Sequence, residues 1–209
     1  MPDNPAASNP FNQRARTWDE DPQRQQRTAD LIAALTRRVA LRPDMTVLDY
    51  GCGTGLLALA LAPQVGRITA VDSAPGMLEI LRGKAAAGAT GNIATLEADF
   101  VTGPVPPGAY DLVISAMTLH HVDNIPALLE TFFHLLRADG YLALADLDAE
   151  DGSFHVGGYG VRHHGFDRDN LAKALTRTGL VDIRLETAGR IEKHSRSYTV
   201  FLATARRSR

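Results

Sequence analysis

One stretch restricts the fold of this chain more than any other: Val47-Leu48-Asp49-Tyr50-Gly51-Cys52-Gly53-Thr54-Gly55, followed by Ile68-Thr69-Ala70-Val71-Asp72. An apolar strand ends in an acid, breaks into a glycine-rich turn, and enters the helical run Leu56 to Ala62. A second apolar strand then ends in another acid. Alternate glycines permit positive φ and remove Cβ atoms, so a ligand can lie directly against the backbone. The helix behind them presents unpaired N–H groups. Asp72 is placed to accept both hydroxyls of a ribose, the part an acid plays in nucleotide-binding βαβ units. These residues predict a nucleoside-cofactor site, and a purely structural turn is the alternative.

The third glycine narrows the cofactor. A dinucleotide fingerprint, G-x-G-x-x-G, requires glycine where Leu56 stands. The pattern here is G-x-G-x-G, with Asp49 just before it. A pyrophosphate is favoured where the helix N-terminus has no negative charge nearby. A carboxylate before the loop instead suits a cationic ligand, such as the ammonium and sulfonium of S-adenosylmethionine. On these residues the chain resembles the class I S-adenosylmethionine-dependent methyltransferases, in their small-molecule branch. The resemblance runs from about Phe11 to the C-terminus and is most specific over residues 45–121.

Bulk properties exclude other classes. A chain of 209 residues is one domain of ordinary size. The 22 Lys and Arg are scattered among 24 Asp and Glu, except for Arg206, Arg207 and Arg209, so no nucleic-acid footprint is visible. The longest apolar run, about eight residues, is too short to span a bilayer. Met1 to Pro10 has no apolar h-region, so no secretory signal is expected, and this segment reads as disordered. The single Cys52 cannot form an internal disulfide, which suits a reducing cytoplasm. Between two loop glycines it reads as a small space-filler rather than a nucleophile. A monomer or homodimer is expected.

Residues 11–209 read as a single domain, with an N-terminal lid over 11–42. Pro22 starts a helix with apolar positions at Ala29, Ile32, Ala33, Leu35 and Val39, reaching the Arg42-Pro43 break. Strands are expected at Thr46–Asp49, Arg67–Val71, Ile93–Ala98, Tyr110–Ser115 and Tyr141–Ala145. Between them lie helices at Leu56–Ala62, from Pro75, and from a cap at Asn124 or Asp123. Asp167 caps a further helix that Gly179 stops. Val181–Thr187 and Tyr198–Ala205 read as an antiparallel pair. Alternating βαβ units predict an α/β fold, a doubly wound sheet with helices on both faces. The resemblance implies a seven-stranded mixed sheet of order 3-2-1-4-5-7-6 with an antiparallel last strand.

The resemblance also implies site residues. Asp49, Gly51, Cys52, Gly53 and Gly55 form the donor loop, with Asp72 and Ser73 beside it. Asp99 is expected to bind the adenine amino group, and the Phe100 backbone a ring nitrogen; an ordinary turn at Asp99 is the alternative. Met77 covers the adenine or belongs to the core. Ser115 and the pair His120-His121 sit beside the donor methyl, and adjacent residues are expected to send at most one side chain into the pocket. Phe11, Arg14 and Trp18 belong to a lid segment. His155, His163 and His164, with Asp146, Asp148, Glu150 and Asp151, raise a metal site, but no compact histidine pair supports one, and no metal is expected. The segment 146–165 either lines the acceptor pocket, since Asp146-Leu147-Asp148 lies at a strand tip where such pockets form, or is a plain solvated loop.

The chemistry so implied is methyl transfer from S-adenosylmethionine to a small molecule, leaving S-adenosylhomocysteine. Orientation alone can supply about 7–11 kcal/mol. A base adds roughly 10²–10⁴-fold where the acceptor must lose a proton, and His120 or His121 is the candidate. A non-catalytic S-adenosylmethionine-binding regulatory module is the alternative. A nicotinamide oxidoreductase is disfavoured by Leu56 and by the Asp49 loop.

Overall fold

A computed structural model describes residues 9–105, 107–155 and 160–209. Residues 1–8, most of the segment expected to be disordered, lie outside the described residues. Asn9 caps a short helix α1 (Pro10–Arg14) by accepting a hydrogen bond from Phe11 N. A 3₁₀ segment, Ala15–Glu20, leads to α2 (Pro22–Thr36), capped by Asp21. The alternation then runs β1 (Thr46–Tyr50), α3 (Leu56–Leu61), β2 (Arg67–Asp72), α4 (Pro75–Ala87), β3 (Ile93–Glu97) and β4 (Tyr110–Ala116). A 3₁₀ turn at Leu119–His121 precedes α5 (Ile125–Leu135), β5 (Leu136–Leu147), α6 (Arg168–Arg177), β6 (Leu180–Lys193) and β7 (Arg196–Arg207). The expected caps form: Asn124 accepts from Ala127 N and Asp167 from Asn170 N.

The seven strands lie in the order β3-β2-β1-β4-β5-β7-β6. β1 through β5 pair in parallel, and β7 runs antiparallel to both neighbours. Strand side chains alternate between faces, and the alternation builds two cores. Val47, Ile68, Ala70, Leu112, Ile114 and Leu202 pack with α2 and α3 on one face. Leu48, Val71, Val113, Leu142, Leu144 and Phe201 pack with α5 and α6 on the other. β1 and β4 are adjacent strands whose chains continue to opposite sides of the sheet, so a crevice opens at their carboxyl ends.

The boundaries of α2, β5 and the β6–β7 hairpin differ from the sequence expectation by more than a residue or two. Helix α2 stops at Thr36 rather than at Arg42, and Arg37 and Arg38 just beyond it pair with Glu186 of β6. Val39 is buried all the same; its apolar spacing marks the core, not the helix. β5 begins directly after α5, at Leu136. β6 and β7 extend well past Thr187 and Tyr198 to a tight turn at His194-Ser195, both at positive φ. The extension was hidden because β6 is a sheet edge with few buried positions. No helix among the described residues is long and apolar enough to cross a membrane.

Candidate active site

A cavity of about 530 Å³ opens at this crevice, within the usual range for small-molecule sites. A recess of about 110 Å³ adjoins it beneath the glycine loop. Trp18, Arg24, Arg27, Gly51, Gly53 and Met117 line both.

The loop after β1 builds one end. Gly51 and Gly53 have φ of 71° and 54°. A Cβ on Gly51 would collide with Thr118, so this glycine lets two turns close on each other. A Cβ on Gly53 would meet only Trp18 Nε1, at 3.9 Å, and would project into the cavity. Gly55 caps α3 and backs onto Leu81. Asp72 stiffens the loop by accepting from Gly53 N and Ala74 N, both at 2.8 Å. A carboxylate accepts about four hydrogen bonds, so Asp72 retains capacity toward the cavity that it lines with Ser73.

Asp49 lines the recess and is 1% exposed. Among the described residues its Oδ2 has no hydrogen-bond partner. Burial first, and the Asp72 carboxylate second, push its pKa up to about 7. A buried acid with an unpartnered oxygen is suited to a cationic group, which would restore the ionised form. Cys52 shares the recess. Burial, Asp49 and Asp72 raise its pKa well above the ordinary value, so it stays a thiol rather than a nucleophile.

Beyond Asp72, the cavity reaches Ala98, Asp99, Val101 and Thr102. Asp99 accepts from Tyr50 Oη (3.2 Å), Val101 N (2.9 Å) and Thr102 Oγ1 (2.8 Å). It therefore both organises the turn and faces the cavity. The Phe100 ring is buried against Tyr50 and contributes to the core. Ser115 lies one layer behind the cavity wall, donating to Tyr50 O at 2.9 Å. Met77 is at once core and lining, packed with Ala15 and Ala74.

The N-terminal segment covers the cavity. Phe11 packs edge-on against Trp18 and against His121, at 5.7 and 5.1 Å between centroids. The Arg24 guanidinium stacks over the Trp18 ring at 3.5 Å. Asp19 holds the segment down by accepting from Thr54 Oγ1 and Lys84 Nζ, each at 2.6 Å. Asn12 Oδ1 accepts from Gly76 N. Arg14 also lines the cavity.

Three imidazoles form the opposite wall. Met117 leaves β4 at a φ of 55°, a left-handed conformation that is costly for a side chain of this size. It turns the chain into the Leu119–His121 segment. Both His120 and His121 line the cavity, against the expectation that only one would. A 3₁₀ turn separates successive side chains by about a third of a circle, and the cavity wraps that angle. His120 is almost fully buried, its Nδ1 lying 2.7 Å from Asp146 Oδ1. Asp146 also accepts from His120 N and Leu147 N. A carboxylate satisfied by N–H donors fixes the tautomer: Nδ1 carries hydrogen and Nε2 carries the lone pair. His155 stacks on His120 at 4.7 Å. Burial, then the proximity of His120, lowers His121 and His155 to about 4, so both are neutral at pH 7. Among the described residues no group of three His, Cys, Asp or Glu side chains is arranged to hold a metal ion.

Sequence reasoning missed Tyr50, Arg24, Arg27, Ile191 and Lys193 as cavity residues, whereas Phe154 and His155 lie in the segment weighed as lining an acceptor pocket. Tyr50 carried a signal, since it sits inside the glycine motif. The others reach the cavity only through long-range folding.

A family model described as a methyltransferase domain matches residues 21–185. The malonyl-[acyl-carrier protein] O-methyltransferase of Serratia marcescens is 32% identical over 57% of this chain and 48% of that protein. The ubiquinone biosynthesis O-methyltransferase of Xanthomonas campestris is 31% identical over 71% of this chain and 63% of that protein. The chain thus spans about half the length of the first curated relatives it matches. Among solved structures, phosphoethanolamine N-methyltransferase 2 of Haemonchus contortus, in complex with S-adenosyl-L-methionine, superposes with a TM-score of 0.72 at 14% identity. It covers 85% of this chain and 52% of that one.

Proposed function

The chain belongs to the methyltransferase-domain family as a class I S-adenosylmethionine-dependent methyltransferase, and from that premise we propose that it methylates a hydroxyl of a small-molecule acceptor, with His120 as the base. The observation that carries this reading is the buried His120–Asp146 pair at the cavity wall. An acceptor that keeps its protons has no use for a base held in one tautomer. Both curated relatives described above are named as O-methyltransferases, which supports oxygen as the methylated atom.

When bound, S-adenosylmethionine supplies a methyl group already activated on a sulfonium. The residues present fit it. Asp49 offers an unpartnered buried oxygen to its ammonium, Asp72 retains capacity for ribose hydroxyls, and Gly53 leaves room for direct backbone contact. The enzyme's own work is then positioning and proton removal. Phe11, Trp18 and Met77 line the cavity with apolar surface. His120 Nε2 takes the hydroxyl proton as the acceptor oxygen attacks in line. The imidazolium so formed keeps its Nδ1–H on Asp146, whose negative charge stabilises it.

His120→Ala should lower turnover at saturating acceptor by roughly 10²–10⁴-fold, with S-adenosylhomocysteine affinity retained. Asp146→Asn should weaken turnover in the same direction, again with S-adenosylhomocysteine affinity retained. The measurement is S-adenosylhomocysteine release across a panel of hydroxylated acceptors, alongside calorimetry of cofactor binding. Unchanged turnover and pH dependence in His120→Ala would leave orientation as the whole mechanism. Cofactor binding with no release on any acceptor would favour a non-catalytic module.

A further inference from the structure

The far wall of the cavity is a row of rings. His121, His120, His155 and Phe154 follow one another with centroids 4.1, 4.7 and 4.6 Å apart, and all four line the cavity. His155 takes part as a ring rather than as a base. Burial, then the proximity of His120 and His121, keep it neutral at pH 7. Among the described residues its buried Nδ1 has no hydrogen-bond partner. What its imidazole touches is other rings: His120 at an interplanar angle of 32°, His121 at 61° and Phe154 at 78°. The segment that carries the rings is pinned in place. Glu150 Oε2 accepts from Phe154 N at 3.0 Å, and Lys193 Nζ donates to Phe154 O at 2.6 Å. The same ammonium lies 4.4 Å from the centre of the Phe154 ring. Tyr198 packs edge-on against that ring at 5.0 Å, and its hydroxyl shares a hydrogen bond of 2.7 Å with Ser153. Arg196 donates to Asp151 and Ser153. The tip of the β6–β7 hairpin thus fixes residues 151–155 against the cavity.

A rigid wall of rings, with His121 and His155 uncharged, favours a planar ring over a saturated one. Ring pairs attract each other beyond what burial of their area supplies. The chemistry of proton removal argues in the same direction. An imidazole titrates near neutrality. A phenolic hydroxyl loses its proton at about 10, and an alkyl hydroxyl, like water, at about 16. Transfer to an imidazole is therefore about six powers of ten less uphill from a phenol. We propose that the acceptor is a planar aromatic alcohol, its ring held against His155 and His121 with its hydroxyl at His120 Nε2. This deepens the hydroxyl-methylation reading and rests on it. The phenolic oxygen bonds to the methyl carbon as the carbon–sulfur bond breaks with its electron pair to sulfur. The proton passes to His120 Nε2 and from there to solvent.

The test is calorimetry on the full chain saturated with S-adenosylhomocysteine. Phenol, 4-ethylphenol and 2-naphthol are each titrated against the saturated counterpart: cyclohexanol, 4-ethylcyclohexanol and decahydro-2-naphthol. The aromatic member of each pair should bind about tenfold more tightly. His155→Leu should bring that ratio close to one while S-adenosylhomocysteine affinity is retained, and His155→Phe should restore it. Both replace a buried Nδ1 that has no hydrogen bond to lose, which favours folding of the variants. Phe154→Leu should lower the ratio by a smaller factor and serves if His155→Leu folds poorly. With S-adenosylmethionine supplied, release of S-adenosylhomocysteine should follow the phenols and not the saturated alcohols. Saturated alcohols that bind or turn over as well as the phenols would overturn the proposal, as would a loaded protein that binds neither member of any pair. So would an aromatic preference that His155→Leu and Phe154→Leu leave untouched. An aromatic preference without turnover of any phenol would overturn the hydroxyl reading and, with it, the alcohol proposed here. Wild-type protein that binds no S-adenosylhomocysteine would instead overturn the methyl-transfer reading beneath both.

Discussion

Asp49 couples folding, proton binding and cofactor choice in one side chain. Its pKa of about 7 in the native protein stands against an ordinary value near 3.8. Between those values the native state holds a proton that the unfolded chain has released, so stability falls as pH rises through the window. Asp49→Asn should remove this slope from urea unfolding measured between about pH 4 and pH 7. His121 and His155 act in the opposite sense, being neutral in the native protein down to about 4 while the unfolded chain protonates them near 6.5. The difference between wild type and Asp49→Asn isolates the Asp49 contribution, and parallel curves would mean that Asp49 is already ionised in the free protein. Gly53→Val is the complementary probe. The substituted chain should fold, at a backbone cost of about 1–3 kcal/mol for valine at this φ, and lose S-adenosylhomocysteine binding, because its Cβ enters the cavity. A full thermal shift with S-adenosylhomocysteine would remove the loop from the site. These residues were legible because they lie within one strand–turn–helix. Asp146 was noticed as a strand tip and as one of several weighed metal ligands but not as the partner of His120, and Arg27 only as part of a helix, since neither partner nor cavity is local in sequence.

Among elements, the lid and the last hairpin make the most contrasting pair. The lid was legible through the family resemblance of the segment carrying Phe11, Arg14 and Trp18, yet its anchor was not. Asp19 grips Thr54 and Lys84 across the fold, fastening the 3₁₀ segment to the glycine loop and to α4. Asp19 and Lys84 are half-buried and Thr54 is fully buried, so Asp19→Ala should lower stability by about 1–3 kcal/mol through the Thr54 hydroxyl left unpaired. It should raise the dissociation rate of S-adenosylhomocysteine by about two- to fivefold, measurable by stopped-flow through Trp18. An unchanged rate would make the lid a fixed wall. The β6–β7 hairpin was legible as an antiparallel pair but not in length. An edge strand exposes much of both faces, so hydropathy does not mark where it stops, and the ends that reach the cavity escaped notice.

At the scale of the whole molecule, the order of strands followed from a family likeness, and alternation could only suggest a doubly wound sheet. Spacing does not encode which neighbours a strand will choose, because pairing is settled by how both faces are covered at once. Helices α2 and α3 cover one face and α5 and α6 the other, leaving the carboxyl ends of the central strands free. The cavity built there has two walls of different ancestry within the chain. The loop, Asp72 and Asp99 come from one continuous stretch after β1, whereas the roof and far wall combine the first helices, the turn after β4, residues 154–155 and the end of β6. A wall assembled from scattered segments can change one segment at a time without disturbing the continuous stretch. The chain is therefore built so that its methyl source is inherited as a block, while what it methylates is free to drift.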